Sequence, residues 1–311
     1  HRRLEHALTD GALGVSLGLG YAPECFYTPD GLLRALAPLQ GSGIPICVHM
    51  REEGDMVCEA LREMLRAARL LNTPVHISHL KAMGPRNWNR RIPEALSLLV
   101  QAREEGLEVS CDVYPYCAGS TQLLHLLPQD FLAGGTDAVA ARLRDPAQRD
   151  ILRERIAHGR DFDNIAQMVG WDNIRLTTLH RPEFQPLTGK TLAQAAELLG
   201  MEPVDCLCHV LAEEACNVTM IDFITCDEDI ERILRAPFAS VISDSLHPTE
   251  GLPHPRVYGT FTRILETFVR ERHVLTLPEA VQRMTSLPAQ ALRLQGKGRI
   301  AAGKSIDRKS V

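Results

Sequence analysis

The feature that most constrains the fold of this chain is a regular alternation of short apolar runs with amphipathic stretches. Six runs have strand character, at residues 14–21, 44–50, 74–80, 107–116, 217–224 and 239–245. Between them, apolar residues recur at helical spacing over residues 55–71, 92–105, 191–200 and 203–214. Alternating strands and helices predict an α/β fold built on a parallel sheet.

Composition narrows the class of protein. The 311 residues, 45% of them hydrophobic, suit a single (β/α)8 barrel, which typically takes about 250 residues. A net charge of -5 with both signs interspersed argues against a nucleic-acid surface. No apolar run approaches the roughly 18–20 residues of a membrane span, and residues 1–14 do not resemble a signal peptide. The nine cysteines form no C-x-x-C pair, which indicates reduced thiols in a cytoplasmic protein.

The segment at about 123–186 breaks the alternation. It contains a clear helical stretch, DPAQRDILRERIAHGR, and a possible extra strand within GWDNIRLTTL. We interpret it as an insertion after the fourth apolar run and expect it to cover a site.

Three polar residues, His49, His79 and Asp244, each end an apolar run. In parallel α/β barrels the carboxyl ends of the strands line the active site, so these side chains are expected to converge. Imidazole and carboxylate are good ligands for Zn²⁺, which activates water and polarises carbonyl groups. A lone histidine at a strand end is more often a hydrogen-bonded structural residue, and on position alone both interpretations stay open.

A set of motifs extends over nearly the whole chain. It comprises GALGVSLGLGYAP, VHMREEG, ISHLKAMG, DVYPYCAGST, ISDS followed by HPRVYGTF, MTSLPA and GRIAAGK. In order and spacing they resemble the N-acyl-D-amino-acid deacylase (D-aminoacylase) branch of the amidohydrolase superfamily. The resemblance implies a TIM (β/α)8-type barrel of the metal-dependent hydrolase kind.

The same resemblance implies a role for eight residues. His49 and His79 match metal-binding histidines, with Zn²⁺ as the cofactor, and Asp244 matches the catalytic aspartate. The residues matching those that hold the carboxylate of the substrate are Tyr21, Lys81, Tyr114, Ser120 and Arg256. Basic side chains suit that task, since arginine can hold a carboxylate through two parallel hydrogen bonds.

The chain also departs from the family. It contains no H-x-H pair and no cysteine in the position of the family's cysteine ligand. The six apolar runs therefore correspond to the third to eighth strands, and we expect a partial barrel with the first two strands missing. Both chain ends look cut. We assign residues 1–295 to the barrel and residues 296–311 to a remnant of the lead-in to a C-terminal β-sandwich.

The sequence is compatible with three functions. The first is hydrolysis of N-acyl-D-amino acids, with a small-molecule substrate and no nucleic-acid or membrane partner. The second is hydrolysis of a cyclic amide, as in hydantoinases and dihydroorotases. Those enzymes usually carry a carboxylated lysine where this chain has His49, which disfavours them. The third is a truncated, catalytically inactive remnant. Zinc content and deacylase activity would separate these functions, and the oligomeric state stays open.

Overall fold

The computed structural model describes residues 1–247 and 250–304, and its strands form two sheets. The strands are β1 (Val15–Gly18), β2 (Ile46–His49), β3 (Val75–Ile77), β4 (Val109–Val113), β5 (Ala118–Gln122), β6 (Ile174–Thr178), β7 (Thr219–Phe223) and β8 (Ala239–Val241). Five of them form a parallel sheet in the order β1-β2-β3-β4-β8. The predicted α/β class with a parallel sheet is confirmed.

Helices cover the parallel sheet and fill the intervals between strands. They are α1 (Arg2–Thr9), α2 (Pro29–Leu36), α3 (Val57–Leu71), α4 (Arg91–Glu104), α5 (Thr136–Arg144), α6 (Pro146–His158), α7 (Ile165–Val169), α8 (Leu192–Leu199), α9 (Pro203–Glu213), α10 (Asp227–Arg235), α11 (Arg256–Arg263), α12 (Leu277–Met284) and α13 (Ser286–Ala291). A π-helical stretch, Ile264–Glu271, continues α11. The four predicted helical stretches correspond to α3, α4, α8 and α9.

The two faces of the parallel sheet differ in polarity. On one face, Ile46, Val48, Val75 and Ile77 belong to a large apolar core shared with the flanking helices. Because successive side chains in a strand point to opposite faces, the intervening positions face the other way. They are largely polar, as at Ser110 and Asp112 of β4. The sheet therefore has one face that packs a core and one that can carry chemistry at its carboxyl end.

The fifth predicted strand does not join the parallel sheet, and this expectation was wrong. Residues 217–224 contain β7, which pairs antiparallel with both β5 and β6. The chain turns just after β4 and forms β5, a strand that the small and polar residues of AGSTQ did not predict. Because β5 and β6 lie on either side of β7, the ladder hydrogen bonds of β7 are used within a second sheet.

The segment at about 123–186 contributes to a second apolar core. It supplies α5, α6, α7 and β6, and the extra strand expected within it is present. Its apolar residues pack with those of α8, α9 and β7 in a cluster separate from the core of the parallel sheet. The described residues therefore form two cores, each supporting its own sheet.

The end of the chain bears on the predicted division into a barrel and a C-terminal remnant. Residues 296–304 form no helix or strand, and residues 305–311 lie outside the described part, so the division at residue 295 stays a prediction.

Among the described helices, none combines the length and apolar character needed to cross a membrane.

A buried carboxylate ties α10 to the turn before α4. Asp229 is fully buried, accepts hydrogen bonds from the backbone N–H of Asn89 and pairs with Arg232 at 3.1 Å. We expect Asp229→Ala to lower the free energy of unfolding by about 1–3 kcal/mol, because the N–H of Asn89 and the guanidinium of Arg232 lose a charged acceptor. Urea denaturation measures this, with Asp229→Asn as the control that keeps an acceptor. Equal stability of the alanine variant and the parent chain would contradict it.

Candidate active site

Two histidines meet at the carboxyl end of the parallel sheet. His49 is the last residue of β2, and His79 follows β3 by two residues. Nδ1 of His49 lies 3.0 Å from Nε2 of His79. His79 adopts a left-handed backbone conformation (φ 40°), and its N–H donates to the carboxylate of Asp112. Left-handed backbone is uncommon outside glycine and is often found at functional sites.

A buried carboxylate, Glu53, joins the two rings. Its Oε1 lies 2.7 Å from Nζ of Lys81 and 3.0 Å from Nδ1 of His79, and its Oε2 lies 3.7 Å from Nε2 of His49. Burial opposes ionisation, but the nearby ring of His49, the ammonium group of Lys81 and the hydrogen-bonding ring of His79 hold the pKa of Glu53 well below its ordinary value. Glu53 is therefore a charged carboxylate at the centre of the cluster.

The donor set of this cluster fits a metal ion. One ligand atom from each of His49, Glu53 and His79 lies within 4.8 Å of the others. Burial lowers the pKa of His49 well below its ordinary value, so its imidazole is neutral, the form that binds metals. Two imidazoles and a carboxylate match the ligands of catalytic zinc sites, which keep a further position open.

Lys81 is held by neighbours of the same cluster. Its Nζ lies 2.7 Å from Glu53, 2.8 Å from Nδ1 of His79 and 3.1 Å from the carbonyl oxygen of His79. An ammonium group has three donors, and all three have a neighbour here. The role expected for Lys81 in binding a substrate carboxylate stays a prediction.

The ion pair of Asp244 and Arg256 forms the opposite part of the site. Asp244 follows β8 by three residues with a left-handed backbone (φ 48°), and its Oδ2 lies 2.9 Å from Nη1 of Arg256. Arg256 is 2% exposed, donates from Nη2 to the carbonyl oxygen of Ser120 and lies over the ring of Tyr114 at 4.8 Å. Its Nε is buried and has no hydrogen-bond partner among the described residues.

All eight predicted site residues line one cavity of about 320 Å³. Tyr21 reaches it from the turn after β1, where its hydroxyl lies 3.0 Å from Oγ1 of Thr121. Its ring packs against His49, with ring centroids 4.5 Å apart. Ser120 enters from β5 of the second sheet. The structure thus brings the eight residues together, while the role of each stays a prediction.

The cavity also contains residues that the sequence did not single out, among them Glu53, His125 and Asp222. Glu53 lies four residues after His49 within the VHMREEG motif, which is the only signal that could have indicated it. His125 comes from the segment expected to cover a site, and burial lowers its pKa to about 4. Burial raises the pKa of Asp222 to about 6, although Lys81 and Arg256 act against the increase.

Two further histidines support the site from outside. His76 is buried on β3, where its ring nitrogens lie 2.8 Å from Ser110 and 2.7 Å from Asp112. His254 accepts a hydrogen bond from the backbone N–H of Arg256. Neither lines the cavity.

Comparison with known proteins identifies relatives of this architecture. The model of the amidohydrolase family matches residues 127–307. The chain is 32% identical to the N-acyl-D-glutamate deacylase of Alcaligenes xylosoxydans xylosoxydans over 310 residues, which are 98% of this chain and 53% of that protein. It is also 32% identical to the D-aminoacylase of the same organism over 305 residues, covering 97% of this chain and 52% of that protein.

A solved structure agrees with these matches. The N-acyl-D-glutamate deacylase of Bordetella bronchiseptica, in complex with zinc and a phosphonate inhibitor that mimics the tetrahedral intermediate, is 30% identical. It superposes with a TM-score of 0.76 over 97% of this chain and 53% of that chain. The present chain thus spans about half the length of the relatives it matches. Since the family model covers more than half of its 311 residues, the chain belongs to the amidohydrolase family.

Proposed function

We propose that this protein is a zinc-dependent deacylase that hydrolyses N-acyl-D-amino acids to a carboxylate and a D-amino acid. The observation that carries the proposal is the joint lining of one cavity by the cluster of His49, Glu53 and His79 and by the pair of Asp244 and Arg256. A linear amide bearing a carboxylate needs both parts. The names of the relatives support the substrate class and its D configuration.

Arg256 is the group best suited to hold the carboxylate of the substrate. Its guanidinium is almost fully buried, yet its Nε donates to no described residue. A buried donor without an acceptor is unfavourable by about 1–3 kcal/mol. A substrate carboxylate that accepts a hydrogen bond from this Nε removes the penalty, so it is bound more strongly here than by an exposed arginine. Tyr114, beneath the guanidinium, limits its movement.

His49, His79 and Glu53 would hold the metal, and Asp244 would move the proton. When bound, zinc polarises a carbonyl group and lowers the pKa of water to about 7. The carboxylate of Asp244 takes the proton of the attacking water and returns it to the departing nitrogen. Its ion pair with Arg256 keeps this carboxylate beside the group that holds the substrate.

The direct test is hydrolysis of paired enantiomers. The protein is incubated with zinc and with N-acetyl-D- or N-acetyl-L-amino acids, and release of the free amine is measured. Hydrolysis of the D series alone supports the proposal, whereas release from a cyclic amide only, or from neither series, overturns it.

The proposed site of action is the cytoplasm, an assignment supported by nine cysteines that are all free thiols.

Zinc binding has a signature that does not depend on activity. At a free zinc concentration of 100 times its Kd, binding to the native state adds about 2.7 kcal/mol to the free energy of unfolding. We therefore expect zinc to raise the melting temperature, and we expect His79→Ala to lose this increase because one of three ligands is removed. His158→Ala, at an exposed position at the end of α6, is the control. An undiminished increase in His79→Ala would exclude this metal site.

A further inference from the structure

Asp222 is the least satisfied carboxylate in the cavity. It lies on β7 and is 2% exposed, and its Oδ1 has no hydrogen-bond partner within residues 1–247 and 250–304. The facing position on β5 is Gly119, where a Cβ would come within 2.8 Å of that oxygen. Buried acceptors are nearly always paired in folded proteins. Position 119 therefore has no room for a side chain, and Oδ1 of Asp222 is an acceptor that no described residue pairs with.

Asp222 is the carboxylate of the cavity that has no ion-pair partner among the described residues. Apart from the proposed zinc ion, whose carboxylate ligand would be Glu53, the cavity contains three carboxylates, Glu53, Asp222 and Asp244, and two cations, Lys81 and Arg256. Lys81 is paired with Glu53 at 2.7 Å, and Arg256 is paired with Asp244 at 2.9 Å. Burial raises the pKa of Asp222 to about 6, and the attraction of Lys81 and Arg256 opposes this increase only in part. A buried negative charge without a partner favours a ligand that brings a positive one.

The surroundings of Asp222 indicate which part of a ligand would reach it. The amide of an N-acyl amino acid belongs near His49, His79 and Asp244, and its carboxylate belongs at Arg256. The wall that remains includes two apolar side chains, Met83 and Ile224, together with Asp222. Cδ1 of Ile224 and Oδ1 of Asp222 both approach the backbone of Gly119 closely, so the two atoms are neighbours on this wall. This wall suits an aliphatic stem that ends in a cation.

We propose that Asp222 determines specificity by binding the cationic end of the substrate side chain, so that N-acyl derivatives of basic amino acids are preferred. The inference rests on the proposed function for the placement of amide and carboxylate. It sets this protein apart from relatives named for acidic substrates, because a second carboxylate beside Asp222 would meet repulsion and a desolvation penalty.

The test compares three probes that differ only in the side chain. They are Nα-acetyl-D-lysine, Nα-acetyl-D-norleucine, which has nearly the same stem without the charge, and N-acetyl-D-glutamate. Affinity is measured by calorimetry and kcat/KM by amine release, both in the presence of zinc. We expect the lysine derivative to exceed the norleucine derivative by roughly 10- to 100-fold, the range for a hydrogen bond between charged groups, and the glutamate derivative to be poorest.

Two substitutions isolate the charge. Asp222→Asn keeps the shape of the side chain and removes the charge, and we expect it to reduce the preference for lysine over norleucine to a few-fold. Asp172→Asn makes the same change of charge at an exposed position just before β6 and should leave the preference intact. Urea denaturation of both variants establishes that each is folded.

The outcomes separate this inference from the proposed function. Selective binding of the lysine derivative without hydrolysis supports the role of Asp222 and refutes the deacylase. Hydrolysis without any preference for lysine supports the deacylase and overturns the role of Asp222. Equal losses for lysine and norleucine in Asp222→Asn would also overturn it, since the carboxylate would then contact a part common to both. Binding of none of the three probes overturns it as well.

Discussion

Replacement of Asp244 by asparagine is expected to lower kcat by about 10²–10⁴-fold, the usual contribution of general acid–base catalysis. Asparagine has nearly the same shape but cannot accept the proton of the attacking water. The backbone at this position is left-handed, a conformation that asparagine adopts more readily than most residues. The fold and the loop after β8 should therefore survive the substitution, and steady-state kinetics on an N-acetyl-D-amino acid measures the loss.

The control for Asp244→Asn is the effect of zinc on the melting temperature, which should be retained because the clustered ligands are His49, Glu53 and His79. The competing explanation is that Asp244 only orders its loop and holds Arg256 in place. Asparagine can still accept a hydrogen bond from Arg256, so under that explanation kcat would hardly change. An unchanged kcat would remove the proton-transfer role proposed here.

Replacement of Arg256 by alanine is expected to raise KM by roughly 10- to 100-fold for substrates with a free carboxylate, the range for hydrogen bonds to charged groups. The effect should be small for substrates in which a neutral amide replaces that carboxylate. Arg256 also pairs with Asp244, so kcat is expected to fall for both kinds of substrate. The diagnostic quantity is the ratio of the two KM values.

Arg256→Lys serves as the matched variant. Lysine keeps the positive charge near Asp244 but lacks the planar fork that can form two parallel hydrogen bonds with a carboxylate. Compared with Arg256→Ala, we expect Arg256→Lys to have a higher kcat. Its KM for carboxylate substrates should stay nearly as high as that of Arg256→Ala. If both substrate series lose the same factor in KM, Arg256 does not recognise the carboxylate.

The sequence predicted the parts of the site that depend on short-range pattern. His49, His79 and Asp244 could be assigned to strand ends because apolar runs precede them, and the structure brings them to one cavity. Glu53 could not be found in this way. It lies in a turn beyond β2, and its burial depends on Lys81, which is 28 residues further along the chain.

The fold was predictable to a similar degree. The predicted helices α3, α4, α8 and α9 followed from apolar spacing and are confirmed within a few residues at each end. The direction in which residues 217–224 pair was not predictable, because an apolar strand has the same local pattern in a parallel and in an antiparallel sheet. The outcome depends on β5, whose small and polar residues give little strand signal. Asp222 was missed for this reason, since its neighbours follow from that pairing.

The presence of two separate cores has a consequence for how such a protein can change over evolutionary time. The parallel sheet carries His49 and positions His79, while the second sheet, on its own core, carries Ser120 and Asp222. Substitutions on β7 can alter the wall around Asp222 without changing the core beneath the histidine cluster. A library confined to β7 would therefore leave unchanged the contacts that β5 makes with Arg256 and Tyr21.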